Sequence, residues 1–178
     1  MRVISGKYRG RNLVAPEGLN TRPTLDRVKE AMFSVINFRL QNAITLDLFA
    51  GSGALSIEAL SRGAKKAYIN DLAKSAVDCI NKNISSIKIQ EEIVLTNKSY
   101  EEVLNSLNEK IDILFLDPPY KMNVYLEIVN YLIENNLLND YAYLVLEMDA
   151  NLSPLELEGF TSKIYKYGNK KLQIMKKM

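Results

Sequence analysis

Residues 111 to 123 read IDILFLDPPYKMN, an apolar run that stops at one carboxylate, then two prolines and a tyrosine. The amino group of a nucleobase has its lone pair delocalised into the ring, so turning that pair toward an electrophile takes two hydrogen-bond acceptors. Asp117 and the main-chain carbonyl of Pro118 can supply both, because the prolines stiffen the turn and bring no N–H of their own. Tyr120 adds a ring on which a planar base can stack, a contact worth about 1–3 kcal/mol. The plainer reading is an Asp-Pro turn without chemistry. Its position directly after a buried-strand pattern weighs against that.

A second constellation lies at residues 46 to 60, LDLFAGSGALSIEAL. Gly51 and Gly53 let the backbone turn tightly and pass close to a ligand at the start of a helix. A pyrophosphate-binding fingerprint would want a third glycine where Ser56 stands. Asp47, four residues before the first glycine, would repel a phosphate yet accept a hydrogen bond from an amino group. Asp71 closes the next apolar stretch, KAYIND, and suits both hydroxyls of a ribose. The ligand that fits this set is a nucleoside bearing an amino acid, S-adenosylmethionine.

These residues need elements that bring them together. From Thr24, a candidate N-cap, Leu25, Val28, Met32, Val35 and Ile36 recur at helical spacing to about Leu40. Strand and helix patterns then alternate through AITLDLFA, KAYIND, EIVLT, IDILFLD and YAYLVLE, with amphipathic stretches between them. Unbroken apolar strands separated by amphipathic helices predict an α/β fold, a mostly parallel doubly wound sheet. Its ligand crevice lies at the carboxyl ends of the strands, where Asp71 and Asp117 fall. The tail, SKIYKYG and KKLQIMKK with a turn at Gly168 and Asn169, predicts a closing antiparallel hairpin. Residues 1 to 23, punctuated by Gly6, Gly10, Pro16, Gly18 and Pro23, read as a small basic β appendage to a catalytic domain at 24 to 178.

At 178 residues, 47% of them hydrophobic, the chain can bury one sizeable core. It has no histidine, and Cys79 is its one cysteine, which excludes a disulfide within the chain, a Cys/His zinc site and histidine-based catalysis. No metal is expected. No apolar run approaches the roughly 18 residues of a membrane span, so a soluble, cytoplasmic protein is expected. Residues 1 to 40 hold eight Lys/Arg against three Asp/Glu, whereas the remainder is net acidic. That asymmetry points to a polyanionic partner. Arg2, Arg9, Arg11 and Arg22, interleaved with glycines, are the expected phosphate grips, with Lys7, Thr24 and Arg27 beside them. Cys79 reads as a small core residue, and Lys170, Lys171, Lys176 and Lys177 as a solvated strand edge.

DLFAGSG and DPPY resemble motifs of the class I amino-methyltransferases. MRVISGKYRGRNLVAPEGLNTRPTLDRVKEAMF followed by LDLFAGSGALSIEALSRGA is similar to the bacterial methyltransferases that modify guanine N2 in 16S ribosomal RNA. The resemblance implies a Rossmann-like fold, S-adenosylmethionine as cofactor and 16S ribosomal RNA, or the assembling small subunit, as partner of a monomer. It implies catalytic roles for Asp117, Pro118 and Tyr120. Its cofactor contacts map to Asp47, Phe49, Ala50, Gly51 and Gly53 on the first loop, then to Asp71, Leu72 and Ser99. Two positions depart from the family pattern: Lys98 or Ser99 stands where an acid usually meets adenine, and Asp71 stands for a longer glutamate. A DNA adenine or protein glutamine methyltransferase, a nonenzymatic RNA-binding module and a nicotinamide oxidoreductase are the competing readings, the last disfavoured by Ser56 and Asp47.

Overall fold

In the computed structural model, which describes residues 1–16, 23–119 and 121–178 with only the backbone of 23–25, the alternation becomes seven strands and five helices. In chain order they are α1 (Pro23–Leu40), β1 (Ile44–Asp47), α2 (Ala54–Ser61), β2 (Lys66–Asn70), α3 (Lys74–Ile87), β3 (Glu92–Thr96), α4 (Tyr100–Ser106), β4 (Ile111–Leu116), α5 (Tyr125–Glu134), β5 (Leu138–Asp149), β6 (Phe160–Tyr167) and β7 (Lys170–Lys177). One sheet holds them in the order β3-β2-β1-β4-β5-β7-β6. The first five strands pair in parallel, and β7 runs antiparallel to both β5 and β6. The chain builds outward from β1 to β3, then crosses back to β4. The loops leaving β1 and β4 therefore diverge and open a crevice between them.

Side chains of β4 alternate between two cores, as the period of a strand requires. Leu114 and Leu116 face α4 and α5, packing with Val103, Leu104, Ile128 and Leu132. Ile113 and Phe115 face the other layer, with Phe33, Ile36, Leu60 and Ile80. Phe33 and Phe115 are fully buried with ring centroids 5.9 Å apart. At the sheet's other end the buried Asp112 accepts from the amide of Ile44 at 2.8 Å and pairs with Arg39, tying β4 to β1 and α1. No helix among the described residues is long and apolar enough to cross a membrane.

Three local expectations are corrected. Helix α1 already begins at Pro23, where a proline's missing N–H costs nothing, so Thr24 lies inside the first turn and is not its cap. The lysines of the tail are not a sheet edge, because β7 is an interior strand and β6 forms the edge. Lys171 is buried and donates to the carbonyl of Leu152. The N-terminal segment, expected as a small β appendage, has no named strand among its described residues, where its one isolated bridge joins Arg2 to Asn12.

What holds that segment is side-chain packing and one buried acid. Val3, Tyr8 and Leu13 are buried with Ala54, Ile57 and Ile87 of α2 and α3. Glu58, with no exposed surface, accepts from the amides of Ile4 at 2.8 Å and Ser5 at 3.0 Å and from Arg62 Nε at 2.8 Å. Lys29 Nζ lies 3.3 Å away and balances its charge. Ser61 accepts the amide of Tyr8 and donates to the carbonyl of Ser5.

The approach is so close at Gly6 that a Cβ would sit 1.8 Å from the Ser61 carbonyl oxygen, at a φ of +85°. Gly6→Ala should therefore cost more than the roughly 1–3 kcal/mol of left-handed strain alone and lift the segment, accelerating exchange of the Ile4 and Ser5 amides. Gly10→Ala, with φ +81° and nothing within 4 Å, should show the strain only. Equal thermal midpoints for the two variants would contradict this account of the docking.

Candidate active site at the strand ends

Three loops of the crevice are joined by one buried side chain. Asn70 Nδ2 donates to the carbonyls of Leu48 at 3.1 Å and Lys98 at 3.0 Å, after β1 and β3. Its Oδ1 accepts from the Lys98 amide at 3.1 Å and the Thr96 hydroxyl at 2.8 Å. The main-chain carbonyl of Asn70 also accepts from Ala50 at 2.9 Å. An amide side chain offers two donors and two acceptor lone pairs. All are used.

On this anchor the glycine loop turns. Gly51 and Gly53 have φ of 56° and 74°, the region glycine occupies without penalty. The Gly51 amide donates to Asp71 Oδ2 at 2.8 Å, and the Ala73 amide to Oδ1 at 2.9 Å. Gly53 serves packing as well, since a Cβ there would lie 3.2 Å from Ile80 Cγ1. Asp47 is buried and accepts from Ser56 Oγ at 3.1 Å. Burial pushes its carboxyl up to about 7, with Asp117 and Asp71 adding to the rise and the Ser56 hydrogen bond opposing it. Ser56, which stands at the place of a third glycine, is thus the partner of the strand's acid.

Two cavities meet at this loop. A cleft of about 760 Å³ is walled by Phe49, Gly51, Asp71, Leu72, Ser99, Tyr100, Pro118 and Lys170, among others. A smaller pocket of about 210 Å³ lies under α1, between Asp26, Lys29 and Met32 on one side and Asp47, Ala50 and Glu147 on the other. Phe49, Gly51 and Asp117 line both. Leu72 is 72% exposed, and the rings of Phe49 and Tyr100 lie 5.9 Å apart. The cleft therefore offers apolar faces between carboxylate-bearing strand ends.

Asp117 follows directly on β4. Its side chain is 45% exposed, to the water of the cleft, with dense protein on its other sides. Burial on those sides and the charge of Glu147 push its carboxyl up to about 6, against the pull of Lys170. The group is therefore mostly ionised at neutral pH. Pro118 is buried, and the amide of Met122 closes the turn on the carbonyl of Pro119 at 2.8 Å. Tyr120 lies outside the described residues, as does Arg22.

Ser99 lines the cleft, but its hydroxyl is committed elsewhere. It caps α4 in a reciprocal box, accepting from the Glu102 amide while the Glu102 carboxylate accepts from the Ser99 amide. Of the expected basic grips, Arg11 and Arg27 are exposed, and Arg2 and Arg9 line a 240 Å³ hollow together with Glu30. Lys7 is paired with Glu91 at 3.0 Å. Two charged residues of the site were missed from sequence: Glu147 at the end of β5, and Lys170 at the start of β7, which pairs with it and lies 3.6 Å from Asp117. The rule that found Asp71 and Asp117 applied equally to Glu147. Lys170 follows only once β7 is known to start at the crevice end.

A sheet of this order, with a glycine loop after β1 and an acid closing β4, defines the class I methyltransferase fold. A solved rRNA methylase of Streptococcus thermophilus shares that fold at 17% identity, with a TM-score of 0.68 over 90% of this chain and 99% of the other. The chain belongs to the family described as Conserved hypothetical protein 95, whose pattern it matches over residues 1–176. It is 35% identical over 164 residues to the Ribosomal RNA small subunit methyltransferase D of Haemophilus influenzae, covering 90% of this chain and 85% of that protein. The solved Escherichia coli protein yhhF superposes with a TM-score of 0.87 at 30% identity, over 99% of this chain and 97% of its own.

Asn70→Ala should lower stability by about 3 kcal/mol, because buried loop groups lose partners. The Lys98 amide, which donates to the oxygen that this change removes, should exchange faster than that of Ala50, whose acceptor is retained. Hydrogen exchange showing no difference between the two would remove Asn70 from its anchoring role.

Proposed function

We propose that the chain transfers the methyl group of S-adenosylmethionine to the exocyclic N2 of a guanine in 16S ribosomal RNA. The observation that carries this reading is the position of Asp117: one carboxylate borders both the large cleft and the smaller pocket, next to the glycine loop. Sequence kinship to a small-subunit methyltransferase supplies the substrate.

The residues present fit the cofactor. The cleft has the apolar faces of Leu72, Phe49 and Tyr100 for an adenine. Asp71, oriented by the amides of Gly51 and Ala73, keeps lone pairs for ribose hydroxyls. The smaller pocket brings Asp26, Asp47 and Lys29 to the two charges of an amino-acid end. When bound, S-adenosylmethionine supplies a methyl group on a sulfonium, open to in-line attack by an amine. Asp117 and the Pro118 carbonyl accept from the guanine amino group and turn its lone pair outward. Positive charge then grows on that nitrogen, the carboxylate of Asp117 stabilises it through a preorganised field, and the excess proton passes to that carboxylate or to solvent, with S-adenosylhomocysteine as the leaving group. Tyr120 supplies a stacking face for a base turned out of its helix.

The basic segment leads into the site. Met1 lines the smaller pocket, and Arg2, Arg9 and Arg11 follow within the docked segment. Arg27, exposed on α1, continues that basic surface, and Thr24 is proposed as a further RNA contact from the first turn of the same helix. Lys7, held by Glu91, contributes less. The chain is read as a monomer, and the substrate implies work in the cytoplasm on naked RNA or an assembling subunit.

Labelled methyl transfer to RNA, DNA and protein, followed by mapping of N2-methylguanine in 16S RNA, tests the reaction; label in DNA or protein alone would reject it. Asp117→Asn keeps shape and one acceptor but loses the anion that matches the transition state, so turnover should fall about tenfold or more with little change in KM. Wild-type turnover should decline as pH falls through about 6, where Asp117 takes up a proton, and this limb should vanish in Asp117→Asn. Full activity of that variant would remove Asp117 from the chemistry.

Reversing the charge of both Arg9 and Arg11 should weaken RNA binding and reduce the log-log salt slope by about 0.7–0.9 for each phosphate that is no longer neutralised. Lys7→Glu should have a smaller effect. An unchanged slope in the double variant would make these arginines ordinary surface.

A further inference from the structure

Three strand ends converge on one cation beside the acceptor. Lys170 Nζ pairs with Glu147 and stands 3.6 Å from Asp117 Oδ1, joining β7, β5 and β4. The antiparallel pairing places Lys170 opposite Asp149 and Lys171 opposite Met148, so the start of β7 is locked to the end of β5. Lys170 lines the large cleft together with Asp117 and Pro118, whereas Glu147 faces the smaller pocket. The cation thus sits between two carboxylates at the mouth of the site. We infer that Lys170 is a positioning residue for the transfer reaction: its charge, anchored by Glu147, keeps Asp117 ionised and directed at the incoming amino group.

The inference rests on the methyl-transfer reading and adds a device to it. The groups that act on Asp117 come from several elements: Asp47 from β1, Tyr125 from α5, Glu147 from β5, Tyr167 from β6 and Lys170 from β7. Lys170 is the cation of that set. Two carboxylates and one ammonium leave a net charge of −1 facing the base, which matches the single positive charge that grows on its nitrogen. Without Lys170, Asp117 and Glu147 would face each other at −2, and one of them would take up a proton more readily. A protonated Asp117 is a poorer acceptor, so the loss falls on turnover. Glu147 in turn holds the ammonium off the reacting nitrogen, where a bare cation would oppose the charge that develops.

The test compares Lys170→Gln, which keeps much of the reach and drops the charge, with Lys170→Arg, which keeps the charge. Wild-type turnover on small-subunit RNA is measured first, so that its absence counts against the reaction and not against Lys170. In Lys170→Gln, both the acid limb of turnover against pH and the carbon-13 titration of the Asp117 carboxyl should move up by about one pH unit or more. KM for RNA should stay near wild type, and Lys170→Arg should restore both midpoints. An unmoved Asp117 titration in Lys170→Gln would overturn the inference. So would a moved titration with an unmoved acid limb, and so would a rise in KM alone, which would make Lys170 an RNA contact.

Discussion

A parallel sheet delivers its strands to one end but does nothing to hold the loops that leave them, and here Asn70 supplies that restraint. Its side chain uses every donor and acceptor it has on the ends of β1 and β3, while its main chain holds Ala50. A buried amide with any of these partners missing would cost more than the bonds contribute, so the network favours one arrangement of the loops. The Gly51 turn and the Asp71 carboxylate are set by that arrangement. The cleft is therefore shaped before any ligand arrives, which is what a reaction dependent on alignment demands.

The second constraint is electrostatic. Asp47, Asp117 and Glu147 gather where two cavities meet, and burial together with neighbouring negative charge raises the proton affinity of Asp47 and Asp117. The fold answers each differently. Asp47 is buried behind Ser56 and sits near its midpoint at neutral pH, Asp117 keeps contact with cleft water, and Glu147 is paired. One Lys170 then serves two acids. A cluster built only for stability would do better with apolar side chains of the same volume. Retaining three acids at this spot makes sense when a cation must be met there.

The alternation of apolar strands with amphipathic helices made the sheet legible, because burial on both faces leaves an unbroken signal in KAYIN and IDILFL. Asp71 and Asp117 were legible as cleft residues for a related reason: in such a sheet, the residue after the strand lines the crevice. Asn70 was not, since an amide one residue before that acid carries no periodic signal and its value lies in partners on other strands. Lys170 escaped because its meaning depends on strand direction. Read locally, KKLQIMKK is a charged edge; paired between β5 and β6, its first lysine reaches the crevice. The packing of the N-terminal segment, read as a small β appendage, was not legible because Val3, Tyr8 and Leu13 follow neither a helical nor a strand period. They are buried by close approach at Gly6 and by an acid, Glu58, that belongs to another element.

That acid joins recognition to the site. Glu58 lies on α2, the helix that the glycine loop opens, and the same carboxylate accepts the amides of Ile4 and Ser5. A free basic tail would search a wide volume for phosphates and lose that freedom on binding. A segment held to α2 by buried hydrogen bonds carries Arg2, Arg9 and Arg11 at fixed positions relative to Gly51. On the proposed reading, phosphate contacts made there would orient a polyanion with respect to the glycine loop as well as attracting it. Lys29, buried on α1 and donating to the carbonyl of Arg2, extends the same connection to the helix that roofs the smaller pocket. Basic segment, loop and pocket are thus tied together by buried hydrogen bonds, and the ordering cost of the segment is met in folding.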